Sequence, residues 1–180
     1  AKPVIPPYEA VAKTIETPAL WLDAADTATI TLTDGKVSNW ADKSGNGRDV
    51  YQTTAANMPV YEEGEYVYTN STSTISFLEN RSPFLMSNSY TMFMMAELDT
   101  APSGSWQAIT EGSTTSNNPA YCITSTLVQW RDKNKKQATV TLPTGYWSTG
   151  KQLHVITDNK STFGATVYRN DANVVLTPTS

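Results

Sequence analysis

The sequence predicts an all-β chain, an antiparallel β-sandwich preceded by an extended N-terminal arm. Three observations carry this expectation. Charged residues make up only 17% of the 180, and threonine, serine and asparagine are abundant, a composition that suits strands and turns better than helices. Apolar and polar residues alternate with period two in several runs, the signature of a strand with one face in a core. Clusters of Gly, Pro, Asn and Asp interrupt those runs at a spacing of about ten residues, as in sandwiches and barrels.

Taken in order, residues 1–18 carry Pro3, Pro6, Pro7 and Pro18. Proline removes a backbone donor and fixes φ, so this arm is expected to be extended, with at most one helical turn in EAVAKTIE at 9–16. Residues 19–180 are expected to form one domain, since a chain of this size buries about 70% of its unfolded surface without covalent staples. TATITLT at 27–33 reads as a half-buried strand with Ile30 and Leu32 on one face. YTMFMMAEL at 90–98 places Met92, Met94, Ala96 and Leu98 on one face and Phe93 and Met95 on the other, which predicts a strand buried on both sides. Further strands are expected at 75–78, 107–110, 120–124, 127–131, 138–142, 152–157, 164–169 and 173–176. Turn chemistry separates them: DG at Asp34, SGNG at Ser44, EG at Glu63, PSG at Pro102, RDKNKK at Arg131, PTG at Pro143 and DNKS at Asp158.

The formal net charge is −4 and the sequence pI about 4.9, which argues against nucleic acid as a partner, because a basic face supplies most of that affinity. Cys122 is the single cysteine, so neither an internal disulfide nor a cysteine zinc site is expected. No apolar run reaches the length of about 18 residues that spans a bilayer. The start AKPVIPPYEA has no signal-peptide core, and its lack of Met suits removal of an initiator in a cytosol or cleavage of a leader. The expected location is a virion surface or the extracellular space.

LWLDAADTATITLTDGKVSNWADKSGNGRDVYQTTAANMPVY, at 20–61, combines a Leu-Trp-Leu-Asp-Ala-x-Asp opening, a Val-x-x-Trp-x-Asp-Lys-Ser-Gly-Asn-Gly-Arg turn, and a Gln followed by Asn-x-Pro-x-Tyr. In that order these motifs resemble the start of the laminin-G-like, concanavalin A-like jelly-roll domains of bacterial surface proteins and phage virion proteins. ISFLENRSPFLM, YTMFMMAEL and QLHVITDNKSTFGATVYRNDANVV continue the resemblance. It implies a jelly-roll sandwich that stops at Ser180 before the family's usual closing strands, leaving an edge open to another chain.

The segment NWADKSGNGRDV at 39–50 is polar and tightly turning, and it is explicable as a corner. Gly45 and Gly47 can take positive φ, Asn46 tolerates it, and Asp42 and Ser44 can accept hydrogen bonds from the turn's own amides after Trp40 plugs the core. The functional alternative is a calcium loop of Asp23, Asp26, Asp42 and Asp49, a set of hard oxygens without EF-hand spacing; no other cofactor is expected.

Catalytic signals are weak. Glu63 and Glu65 in YEEGEYVY suit a solvated edge better than the paired acids of a glycosidase. QLH at 152–154 resembles one element of certain alginate lyases, but the accompanying Arg-x-Glu strand motif is missing, and His154 alternates with Leu153 and Val155 as a strand histidine does. Asn70, Asn80 and Asn159 lie in glycosylation sequons that matter only in a eukaryotic secretory pathway.

Binding is the remaining class. Trp106, Trp130, Tyr146 and Trp147 fall near predicted turns and are the candidate glycan-contacting aromatics; capping the sandwich ends is their structural alternative. Arg131, Lys133, Lys135 and Lys136 form a basic loop that could meet an anionic glycan, an acidic neighbour or only solvent. The expectation is therefore a non-enzymatic module, most naturally a phage virion decoration or host-attachment protein contacting cell-surface glycans. Its arm or open edge would meet other virion or surface proteins or a second copy of itself. A carbohydrate-binding module of a secreted bacterial enzyme or adhesin is the alternative, and a polysaccharide lyase or glycosidase the third.

Overall fold

The computed structural model describes residues 18–68, 76–80 and 89–97, and the strand residues 107–111, 120–123, 127–131, 137–141, 152–159, 162–163, 165–169 and 172–176. The arm at 1–17 and the turns expected at Pro102 and Pro143 lie outside them. The described residues form antiparallel strands with two 3₁₀ turns and no α-helix. These residues are all-β, and the chain falls into two compact units, Ala1–Phe84 and Leu85–Ser180.

In the first unit, β1 (Ile30–Thr33), β2 (Lys36–Trp40), β3 (Val50–Tyr51), β4 (Val60–Glu62) and β5 (Tyr66–Tyr68) make one sheet. Strand β2 is its hub, with β1 on one side and β3 and β4 on the other. The β1–β2 hairpin closes through Asp34 and Gly35, with φ of 51° and 75°. Positive φ at both central residues is the type I′ geometry that matches strand twist, and Asp-Gly is a sequence that accepts it. Ser38 is the extra residue where the register skips between Thr31–Asn39 and Leu32–Val37. Its hydroxyl donates to the Thr31 carbonyl at 3.1 Å, so the bulge satisfies its own ladder. Gly64 (φ 73°) sits between β4 and β5, where the Glu65 amide donates to the Glu62 carbonyl at 3.0 Å. Glu63 and Glu65 are exposed in this turn.

TATITLT behaves differently at its start. Thr27–Thr29 is a 3₁₀ turn, and the strand begins only at Ile30. The backbone amide and the hydroxyl of Thr29 both donate to the Asp26 carbonyl, at 2.9 and 2.7 Å, and this local closure outcompetes extension. Residues 76–80 contribute an isolated bridge, Tyr51 to Glu79, in place of the strand expected from 75 to 78, whose first residue is not described.

The described strands of the second unit form two sheets. One is a meander of β7 (Gln107–Glu111), β8 (Ala120–Ile123), β9 (Leu127–Arg131) and β10 (Gln137–Thr141). The other contains β6 (Ser89–Ala96), β11 (Gln152–Asn159), β12 (Thr162–Phe163), β13 (Ala165–Arg169) and β14 (Ala172–Leu176). Strand β11 pairs with β6 over its whole length and with β12 and β13. Asp158 and Asn159, expected in the DNKS turn, are strand residues that pair with Phe163 and Thr162.

Strand β6 differs from the expectation of burial on both faces. Phe93 and Met95 are 44% and 45% exposed, while Met92, Met94 and Ala96 are half-buried. Period two is the same for a strand covered on one face and on both, and only the tertiary neighbours decide.

His154 on β11 is completely buried, opposite Met94 in the register. Burial pushes its imidazole from the ordinary 6.5 down to about 4, so the ring is neutral near pH 7. The unfolded chain takes up this proton first. The stability from the neutral form is therefore complete above about pH 6.5 and is lost as the pH falls to 4, by an amount of about 3 kcal/mol. Denaturant titrations of the wild type between pH 6.5 and 5, above the carboxylate range, are expected to show this decline, and His154→Gln is expected to flatten it.

Candidate functional site

The polar segment after Trp40 folds into a corner built around one carboxylate. Asp42 Oδ1 accepts the amides of Trp21 and Ser44 at 3.0 and 2.9 Å. Its Oδ2 accepts the Ser44 hydroxyl at 2.6 Å and the Arg48 amide at 3.1 Å. The two glycines of the turn, Gly45 and Gly47, have φ of 83° and 66°, and these left-handed steps fold the chain back so that the Ser44 and Arg48 amides meet the same carboxylate. Partial burial pushes the Asp42 carboxyl up, but the donors from Ser44, Trp21 and Arg48 outweigh it and hold the group below the ordinary 3.8.

A second layer ties the corner to the LWLDAAD opening. The Lys43 amide donates to the Trp21 carbonyl at 2.9 Å, so Trp21 is gripped through both backbone groups. The Lys43 ammonium lies 2.9 Å from Asp23, 2.7 Å from Asp26 and 4.8 Å from the centroid of the Trp21 ring. Asp23 is 4% exposed and also accepts the Ala25 amide at 3.1 Å. The lysine gives that nearly buried carboxylate an opposite charge within hydrogen-bond distance, and the aromatic face adds to the cation's stabilisation. Burial lowers the Lys43 pKa, and the hydrogen bonds and charges of Asp26 and Asp23 more than reverse it. The bond from Lys43 holds the Asp26 carboxyl below its ordinary value.

The four aspartates proposed for calcium thus separate by role. Asp23 and Asp26 meet on Lys43, Asp42 collects the turn donors, and Asp49 accepts the Asp42 amide at 2.9 Å. No cluster of three or more His, Cys, Asp or Glu suited to a metal occurs among the described residues. The Asp49 carbonyl in turn accepts the Asn80 side-chain amide at 2.9 Å.

Other buried polar groups escaped the sequence reading. Gln52, 4% exposed, donates to the Phe77 carbonyl at 3.3 Å and accepts the Thr54 amide at 2.9 Å. The Tyr61 hydroxyl donates to the Ala24 carbonyl and accepts the Gly64 amide, both at 2.8 Å, which links the EG turn to the opening motif. The Gln and Tyr of the quoted motif were the available signal. Trp40 lies in β2 opposite Ile30 and Val50, half-buried, and its indole nitrogen is covered without an acceptor among the described residues.

Of the binding candidates, Trp130 and Arg131 close β9. Trp130 stands opposite Tyr121 on β8 and Ala138 on β10, and Arg131 opposite Ala120 and Gln137. Trp106, Tyr146, Trp147, Lys133, Lys135 and Lys136 lie outside the described residues. Comparisons with protein-family models, with curated proteins and with solved structures return no match.

Replacing Asp42 by Ala is expected to destabilise the fold by about 3 kcal/mol in urea titrations, because three amides lose a charged acceptor. Asp42→Asn, which keeps one carbonyl oxygen, is expected to lose less. The Asp42 contribution is present above the ordinary carboxylate range and is lost as the pH falls through the lowered value.

Proposed function

We propose that the protein is a non-enzymatic jelly-roll module displayed on a virion or cell surface, where it decorates a particle or attaches it to host glycans. The observation that carries this reading is the register position of Trp130 near the end of β9, directly opposite Tyr121 on β8. A cross-strand pair of aromatic positions is chemistry that sugar recognition uses, because rings stack on the apolar face of a pyranose.

Two further features support it. The most motif-dense part of the chain spends its carboxylates on its own amides and on Lys43, as a scaffold does. The histidine of the QLH element is buried in its sheet and held neutral by desolvation, a packing environment rather than one for proton transfer to a polymer. A repeated exterior site would turn weak single contacts into useful avidity.

Glycan-array binding by particles carrying the protein, with mass spectrometry of the purified particles, tests the proposal. Trp130→Ala and Tyr121→Ala are expected to reduce glycan retention by about tenfold each, equivalent to about 1.4 kcal/mol, with the circular dichroism of a folded β protein retained. Trp106→Ala and Trp147→Ala probe the remaining aromatic candidates. Strong binding by the isolated monomer would favour a carbohydrate-binding module, and absence from every particle fraction would remove the virion assignment.

A further inference from the structure

The corner contains an Asn-Gly step, Asn46-Gly47, whose side-chain amide has a structural task. Asn46 Nδ2 donates to the carbonyls of Pro18 and Ala19 at 3.1 and 3.2 Å and to the Ser44 hydroxyl at 2.9 Å. The Arg48 guanidinium donates to the same Ala19 carbonyl. Together these groups latch residues 18–19 against the turn. Asn46 is exposed, and Gly47 is exposed with φ of 66° and open space where a Cβ would stand. None of the hydrogen bonds among the described residues engages the Gly47 amide.

We propose that Asn46 is a self-modification site, at which deamidation releases the latch on Pro18 and Ala19. The Gly47 backbone nitrogen gives its proton to solvent base and attacks Asn46 Cγ. A nitrogen–carbon bond forms, the Cγ–Nδ2 bond breaks, and ammonia leaves from a five-membered succinimide. Water then adds to either ring carbonyl and opens the ring to aspartate or isoaspartate, so the balance is one water in and one ammonia out. Glycine at the following position favours the attack because it has no side chain to shield the nitrogen and little penalty for the conformations the ring requires.

The consequence follows from donor and acceptor chemistry. The amide is the donor in all three Asn46 side-chain contacts, and a carboxylate only accepts. Deamidation therefore sets a negative oxygen against two carbonyl oxygens, close to the charged Asp42. It also offers Arg48 a stronger partner than the Ala19 carbonyl, so both halves of the latch are lost together. In the isoaspartate product the main chain gains a methylene between Gly45 and Gly47, the two left-handed positions that turn the chain around Asp42. The corner then carries a slow, irreversible record of age.

Incubation of the full chain at mildly alkaline pH, followed by tryptic mapping, reads the reaction, because cleavage after Lys43 and Arg48 isolates SGNGR. Asn46 is expected to convert on the order of tenfold faster than Asn39, Asn57 and Asn80, which precede Trp, Met and Arg, with a mixture of aspartate and isoaspartate as product. Hydrogen exchange at 19–21 is expected to rise in the aged wild type and in Asn46→Asp, and to stay at the starting level in an aliquot aged at acidic pH, where the nitrogen is not deprotonated. Conversion no faster than at Asn57 would overturn the proposal, as would conversion without faster exchange at 19–21. The aged wild type supplies the second readout even if Asn46→Asp folds poorly.

Discussion

The first unit depends on the Asp42 carboxylate. A chain that reverses direction over a few polar residues leaves several amides pointing inward, and each must find an acceptor or remain in water. Asp42 supplies both its oxygens to that need and reaches beyond the turn to the Trp21 amide. One side chain therefore closes the local turn and also joins segments separated in sequence. The ladder from β2 to β3 begins just past the corner, at Trp40 opposite Val50, so the geometry of the hub strand passes through this group.

The second layer is electrostatic. A nearly buried Asp23 is tolerated because Lys43 stands within hydrogen-bond distance, Asp26 stands on the lysine's other side and the Trp21 ring lies beneath it. The Lys43 backbone also bonds Trp21, so packing and charge pairing hold the same two segments. The Leu-Trp-Leu-Asp-Ala-x-Asp and Trp-x-Asp-Lys-Ser-Gly-Asn-Gly-Arg motifs are thus two halves of one construction. Their residue types follow from it: carboxylates to accept, glycines to turn and a cation to neutralise.

Much of this was legible in the sequence for physical reasons. Alternation and turn chemistry placed β7 to β11, β13 and β14 within a few residues, since those signals are local. The Asp-Gly hairpin and the inward role of Asp42 and Ser44 followed from the conformations that glycine permits and from the short reach of Asx side chains. Partners distant in sequence were not legible. Nothing local shows that Lys43 gathers Asp23 and Asp26, that Gln52 is buried against Phe77, or that Tyr61 bridges Ala24 to Gly64. Thr27–Thr29 was misread because alternation cannot register a carbonyl, that of Asp26, which captures two donors of Thr29. Phe93 and Met95 were misread because a two-residue period does not say how many faces are covered.

The pairing of β6 with β11 bears on how the chain acquires its structure. Ala96 meets Gln152 and Ser89 meets Asn159, with the entire β7–β10 meander lying between the partners in sequence. The meander joins neighbours and carries a small loop-closure cost, whereas β6 must wait for a strand made much later. During synthesis, a run of methionines and aromatics therefore leaves the ribosome well before the strand that will shelter its backbone. In that interval it offers other nascent copies a template for edge pairing, so productive folding favours dilute, chaperone-attended chains over crowded ones.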